Sequence, residues 1–180
     1  MSLRHLFSVS LVSALSLSAC ALMPRPHNTP DALVPPASQV MVLEAMGAGV
    51  QVYGCEKTAD DPTKFAWVLQ GPEADLYDPT GNRIARHTAG PTWIGMDGSS
   101  VKGTVSASLP APKETEDIPW LLLTATETSG NGILSKVASI QRINTRGGIA
   151  PPASDCGAPQ VGKKSRVSYT ANYRFYATKP

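Results

Sequence analysis

Apolar and polar residues alternate with period two along most of the chain beyond Gly49. In an extended strand successive side chains point to opposite faces, so this alternation predicts half-buried β-strands. In "GVQVYGC", Val50, Val52 and Gly54 share one face, and Gln51, Tyr53 and Cys55 the other. In "KFAWVLQ", Phe65, Trp67 and Leu69 alternate with smaller or polar residues. "SVKGTVSASL" sets Val101, Gly103, Val105, Ala107 and Leu109 against Lys102, Thr104, Ser106 and Ser108. "KVASIQRINT" and "SYTANYRFYA" continue the pattern, the second stacking Tyr169, Ala171, Tyr173 and Phe175. "PWLLLTATE" is more apolar throughout, as expected of a central strand covered on both faces.

Turn residues separate these runs. "DPTG" at Asp78–Gly81 has proline where its fixed φ suits a type I turn and glycine at the fourth position. The Asp97–Gly98 step in "MDGS" predicts a two-residue hairpin, and Gly90–Pro91 a bend between strands. No stretch of ten residues carries helical periodicity; "GNGILSK", Gly130–Lys136, suits a short helical turn. Short strands joined by Gly/Pro turns predict an all-β fold: a single antiparallel β-sandwich, or alternatively a partly open barrel, over residues 37–180.

The first residues break the alternation. Arg4 precedes an apolar run, Leu6–Leu17, closed by "LSAC" at Leu17–Cys20. A basic start, an apolar stretch and small residues before a cut describe an export signal. The run is too short to cross a bilayer, which needs about 20 apolar residues. "LSAC" also resembles the bacterial lipobox, in which the cysteine becomes the lipidated first residue. The expectation is a signal peptide at 1–19, lipidation of Cys20, and a membrane anchor. By that resemblance Ala21 favours the outer membrane, with the domain facing the periplasm. Residues 20–36 hold five prolines and read as an extended tether, with an ordered arm at Ala32–Pro36 as the alternative.

With Cys20 lipidated, Cys55 and Cys156 remain. An oxidising compartment makes a disulfide between them the expectation, two separate buried thiols being the alternative. Oxidised cysteines supply neither a nucleophile nor a metal ligand. His5 leaves with the signal and His27 lies in the tether, so His87 is the domain's only histidine. No metal site is therefore expected. Basic residues number 16 against 14 acidic ones, and losing the signal removes Arg4. That near balance, without a basic cluster, argues against nucleic acid.

Catalytic patterns are few. The nucleophile elbow G-x-S-x-G is absent, "GSSVKG" being a near miss that reads as a hairpin exit. "GAGVQVYG" has its strand after the glycines, so the dinucleotide-binding reading fails and no cofactor is expected. Glu73 and Asp75 share a strand face and could serve a glycosidase, or could be solvated acids. Trp67, Trp93 and Trp120, with Tyr53 and Tyr77, could form a ligand platform or lie in the core. "HTAGPTWIGMDG" offers His87, Trp93 and Asp97 as candidate ligand-binding residues; otherwise it is a bend with Trp93 folded over the core.

Several blocks in order carry a resemblance: "GVQVYGC", "WVLQGPEADLYD", "HTAGPTW", "DGSSVKG", "IPWLLL" and "KVASIQRINTRGG" followed by Cys156. Together they resemble the bacterial and fungal family known as domain of unknown function 3455, from about Gly49 to Tyr176. The resemblance implies secretion and an all-β domain, and brings no activity or catalytic residue. The functional expectation is a lipid-anchored, non-enzymatic envelope protein that binds an envelope glycan or protein or has a structural role. The alternative is a small hydrolase of envelope polymers using His87 and a nearby carboxylate.

Overall fold

The computed structural model describes residues 29–180. Eight strands follow one another: β1 (Gln39–Lys57), β2 (Phe65–Tyr77), β3 (Arg83–Thr88), β4 (Thr92–Gly95), β5 (Ser100–Leu109), β6 (Trp120–Ser129), β7 (Val137–Gly147) and β8 (Lys164–Thr178). Each pairs antiparallel with the next, and β8 returns to β1, closing one sheet into a barrel. The all-β antiparallel expectation holds, as does the short helical turn, a 3-10 turn at Ile133–Lys136. What alternation left open was closure. The seam runs from Gln39↔Thr178 to Gly54↔Lys164, joining the two ends of the domain. Period-two patterning says which face a residue occupies and nothing about which strand lies beside it.

Inward-facing positions alternate large and small across the strands. One row runs Gly49, Ala74, His87, Trp93, Val101 through four ladders. Another runs Ala45, Tyr173, Arg142, Leu121. Small residues opposite rings make room for the rings inside a narrow barrel. Gly47 shows the constraint: a Cβ there would sit 2.5 Å from the Tyr173 ring. Tyr169, Ala171, Tyr173 and Phe175 all face the core, as their alternation predicts.

Two inward assignments fail. Val105 is 48% exposed, because the β5–β6 ladder shifts between Lys102 and Gly103 and again between Val105 and Ala107. Leu69 is 54% exposed beside the irregularity at Val52/Tyr53 and the positive φ of Gly71. Each bulge inserts a residue and resets which side chains face in. The turns also differ in detail. Gly98 N–H donates to the Gly95 carbonyl and Gly95 N–H to the Ser99 carbonyl. Met96–Gly98 is thus a three-residue hairpin loop with Gly98 at φ +81°, the left-handed position such loops require.

Residues 29–36 are an ordered arm rather than free tether. Leu33 is fully buried, and its carbonyl accepts from Gln141 Nε2 on the outer wall. Tyr176 Oη donates to Gln141 Oε1 at 2.9 Å, and Arg174 reaches Thr29. Proline-rich chain docks here because one buried leucine and a satisfied carbonyl suffice to hold it. Cys20, the signal and the tether up to residue 28 lie outside the described residues.

Candidate functional site

His87 on β3 stands directly opposite Trp93 on β4. Such a pair on one sheet face brings side chains into contact. Here the rings stack, with centroids 4.2 Å apart and planes within 2°. Tyr173 meets both edge-on, at 5.4 Å from His87 and 5.8 Å from Trp93, and Phe175 closes the far side of Trp93 at 5.9 Å. The rings come from the middle of the chain, on β3 and β4, and from its last strand, β8, and meet in the barrel interior. Trp93 is 1% exposed and His87 3%.

The sealed imidazole is held neutral. Its Nδ1 lies 3.0 Å from the Thr92 carbonyl, an acceptor, which assigns the proton to Nδ1. Burial drives the His87 pKa from its usual 6.5 down to about 3; the Thr92 bond opposes this and the nearby Arg142 charge reinforces it. Tyr173 is pushed well above its ordinary value, chiefly by burial, and shares a 3.0 Å hydroxyl contact with Tyr169. Arg142 lies opposite Tyr173 in the ladder and donates from Nε and Nη2 to the Pro119 carbonyl. Tyr53 Oη donates to the Gly148 carbonyl and Thr145 Oγ1 to the Ile118 carbonyl, each at 2.6 Å. These bonds draw the 117–119 and 147–149 segments onto the core and satisfy polar groups that burial would otherwise penalise.

The pH consequence follows from the His87 shift. An unfolded chain binds the proton near pH 6.5, whereas the folded chain resists it until about pH 3. Stability from this group is complete above pH 6.5 and is lost as pH falls towards 3. Between pH 6.5 and 5 the loss should be about 1–2 kcal/mol. Urea unfolding of the wild type should show that fall, and His87→Phe should flatten it. Equal slopes in the two proteins would assign the acid sensitivity elsewhere.

Asp97 does not join His87 and Trp93. It sits in the β4–β5 loop, beyond the opposite end of β4 from Gly90–Pro91. Its carboxylate accepts from Ser99 N–H at 3.0 Å, Ser99 Oγ at 2.6 Å and Ile133 N–H at 2.8 Å. Those bonds hold its pKa below the usual carboxylate range, the Ser99 hydroxyl contributing most. Ser99 Oγ in turn accepts from Leu134 N–H. Asp97 thus locks the 3-10 turn onto the hairpin.

Glu73 and Asp75 face outward, paired with Arg166 at 2.6 Å and Arg83 at 3.5 Å. Arg166 lowers the Glu73 pKa, the reverse of what a general acid needs. Trp67, Trp120 and Tyr77 are half-buried and Tyr53 is buried. The Cys55–Cys156 disulfide is formed, with Cα atoms 5.5 Å apart. Among the described residues no group of three His, Cys, Asp or Glu side chains could hold a metal.

Two concave surfaces lie at the barrel end where β1 begins. A groove of about 370 Å³ is lined by Leu43, Ile84, Ala85, Met96, Ile133 and Leu134, with Arg83 and Asp97 also on it. A second, of about 260 Å³, lies between Glu44–Met46, Tyr77–Pro79 and Asn172. Neither groove carries a signal in the sequence, and the half-buried, core-facing Arg142 was not among the candidate residues. In "KVASIQRINT" the arginine is in phase with Ile140, so the signal was a charge on an apolar face.

A family model described as a protein of unknown function, DUF3455, matches residues 36–177. No curated protein and no solved structure showed a significant match.

Proposed function

The chain belongs to this family of proteins of unknown function, and on that premise we propose a non-enzymatic envelope protein, anchored by lipid at Cys20. Its role is to bind an envelope glycan or protein, or to support the envelope structurally, from the periplasmic face of the outer membrane. The observation that carries the non-enzymatic reading is the sealing of His87. A general base must come within hydrogen-bond reach of a substrate proton. The His87 ring is covered by Trp93 and flanked by Tyr173, and its Nδ1 is committed to the Thr92 carbonyl. The hydrolase alternative needs an open cleft and a carboxylate beside that imidazole, and nothing in this arrangement favours it.

Export is supported by the apolar run ending in "LSAC" and by the Cys55–Cys156 disulfide, a bond that persists in oxidising compartments. The test is Cys20→Ser. The wild type should carry acyl mass on an N-terminal Cys20 and sediment with membranes; the variant should lose both properties. A wild-type chain found soluble and unacylated would overturn the anchor.

A further inference from the structure

The end of the barrel where β1 begins exposes four large apolar residues beside its polar Asp78–Asn82 turn, whereas the connections at the opposite end expose Val161. Met96 is 61% exposed, Ile133 46%, Met41 42% and Val40 41%. Met96 and Ile133 form the lip of the 370 Å³ groove, whose floor is Leu43, Ile84 and Leu134. The Asp97 bonds to Ser99 and Ile133 fix the two loops carrying that lip, so the apolar residues are presented by a braced structure. Asp97 spends its oxygens on this brace, and Arg83, the basic residue at the groove, keeps an exposed guanidinium while it pairs with Asp75 at 3.5 Å.

The described chain starts close by. Thr29 lies against Arg174, which is bonded through Nε to Glu44, the neighbour of Leu43 in β1. Cys20 is nine residues upstream of Thr29. Nine residues span at most about 32 Å whatever their conformation, so a lipid on Cys20 cannot lie further than that from the barrel wall. A surface held that near meets the bilayer at an effective concentration set by the tether, and a contact of few side chains then suffices.

We propose that the barrel end bearing Met96, Ile133, Val40 and Met41 docks onto the lipid surface that anchors the chain, the groove above Leu43 and Ile84 receiving acyl groups and Arg83 facing lipid phosphate. This rests on acylation of Cys20 and adds an orientation: the disulfide end points away from the membrane. The protein is then held upright by two contacts, one covalent and one apolar.

Hydrogen exchange of the full acylated protein tests this. The protein is compared in vesicles of phosphatidylethanolamine and phosphatidylglycerol and, as Cys20→Ser, in solution. Mass spectrometry of the N-terminal peptide first establishes acylation, so an unacylated wild type fails the anchor reading independently of the docking. With acylation present, peptides covering 94–99 and 130–136 should exchange at least threefold more slowly on vesicles, and those covering 58–64 and 157–163 at unchanged rates. Met96→Asp/Ile133→Asp should keep its acyl group and lose that protection. Equal exchange at both ends, or protection at the disulfide end, would overturn the proposal. Protection of 94–99 and 130–136 in solution on self-association of Cys20→Ser would assign the surface to a second copy and overturn it too.

Discussion

Trp93→Ala should destabilise the domain by about 3–5 kcal/mol, the range for truncating a large buried ring. Trp93 is 1% exposed and is touched by His87, Tyr173 and Phe175. Its removal leaves a hole walled by ladders of a closed sheet, which can collapse little. For a domain of this size each kcal/mol moves the melting temperature by about 2–4 °C, so the midpoint should drop by about 6 °C or more. Trp93→Phe, which keeps a ring against His87, should lose clearly less. A Trp93→Ala domain that melts with the wild type would mean that the ring is not core and that the His87 segment must be reconsidered as a site.

Removing the disulfide should cost a similar amount. Cys55 and Cys156 are separated by 101 residues, and the chain-entropy account gives about 4.7 kcal/mol for a loop of that length. The bridge stands at the end of the seam that closes the barrel, where Cys55 N–H donates to the Lys163 carbonyl and Gly162 N–H to the Cys55 carbonyl. It therefore ties the β7–β8 connection to β1 beside the last rungs of the β1–β8 ladder. Cys55→Ala/Cys156→Ala should unfold in urea at a markedly lower midpoint, by about 2–5 kcal/mol. The spectrum of the folded state should persist, since the ladders do not depend on the bond. Unchanged midpoints with and without reductant would show that the bridge does not constrain the unfolded chain.

The sequence made the strands legible because nearly every one has a solvated outer face and a buried inner one. The β8 alternation through Tyr169, Tyr173 and Phe175 is the clearest example. Closure was not legible: the β1–β8 seam is a pairing of distant strands, and alternation does not name partners. Val105 and Leu69 were misplaced for a related reason, since a bulge costs one residue and leaves no mark in a binary pattern. His87 and Trp93 were singled out together and do touch, because three turn residues put them in cross-strand register. Asp97, nearest to Trp93 in sequence, is separated from the pair because β4 runs its whole length between the two turns. Residues that look like a site when adjacent in sequence are thus divided by a strand into a core pair and a loop brace. The disulfide was legible from the expected oxidising compartment and the cysteine count, with no geometry involved.

The most direct measurement is the titration of the His87 imidazole in the folded protein, followed by NMR from pH 8 to pH 4 and assigned by comparison with His87→Phe. The central claim is that the interior is filled and His87 is sealed within it, bonded to Thr92 and stacked on Trp93. Its pKa then lies at about 3, and its resonances stay those of the neutral Nδ1–H form across the whole range. A midpoint near the ordinary 6.5 would place the ring in contact with solvent, contradict the sealed barrel, and restore His87 as a candidate base.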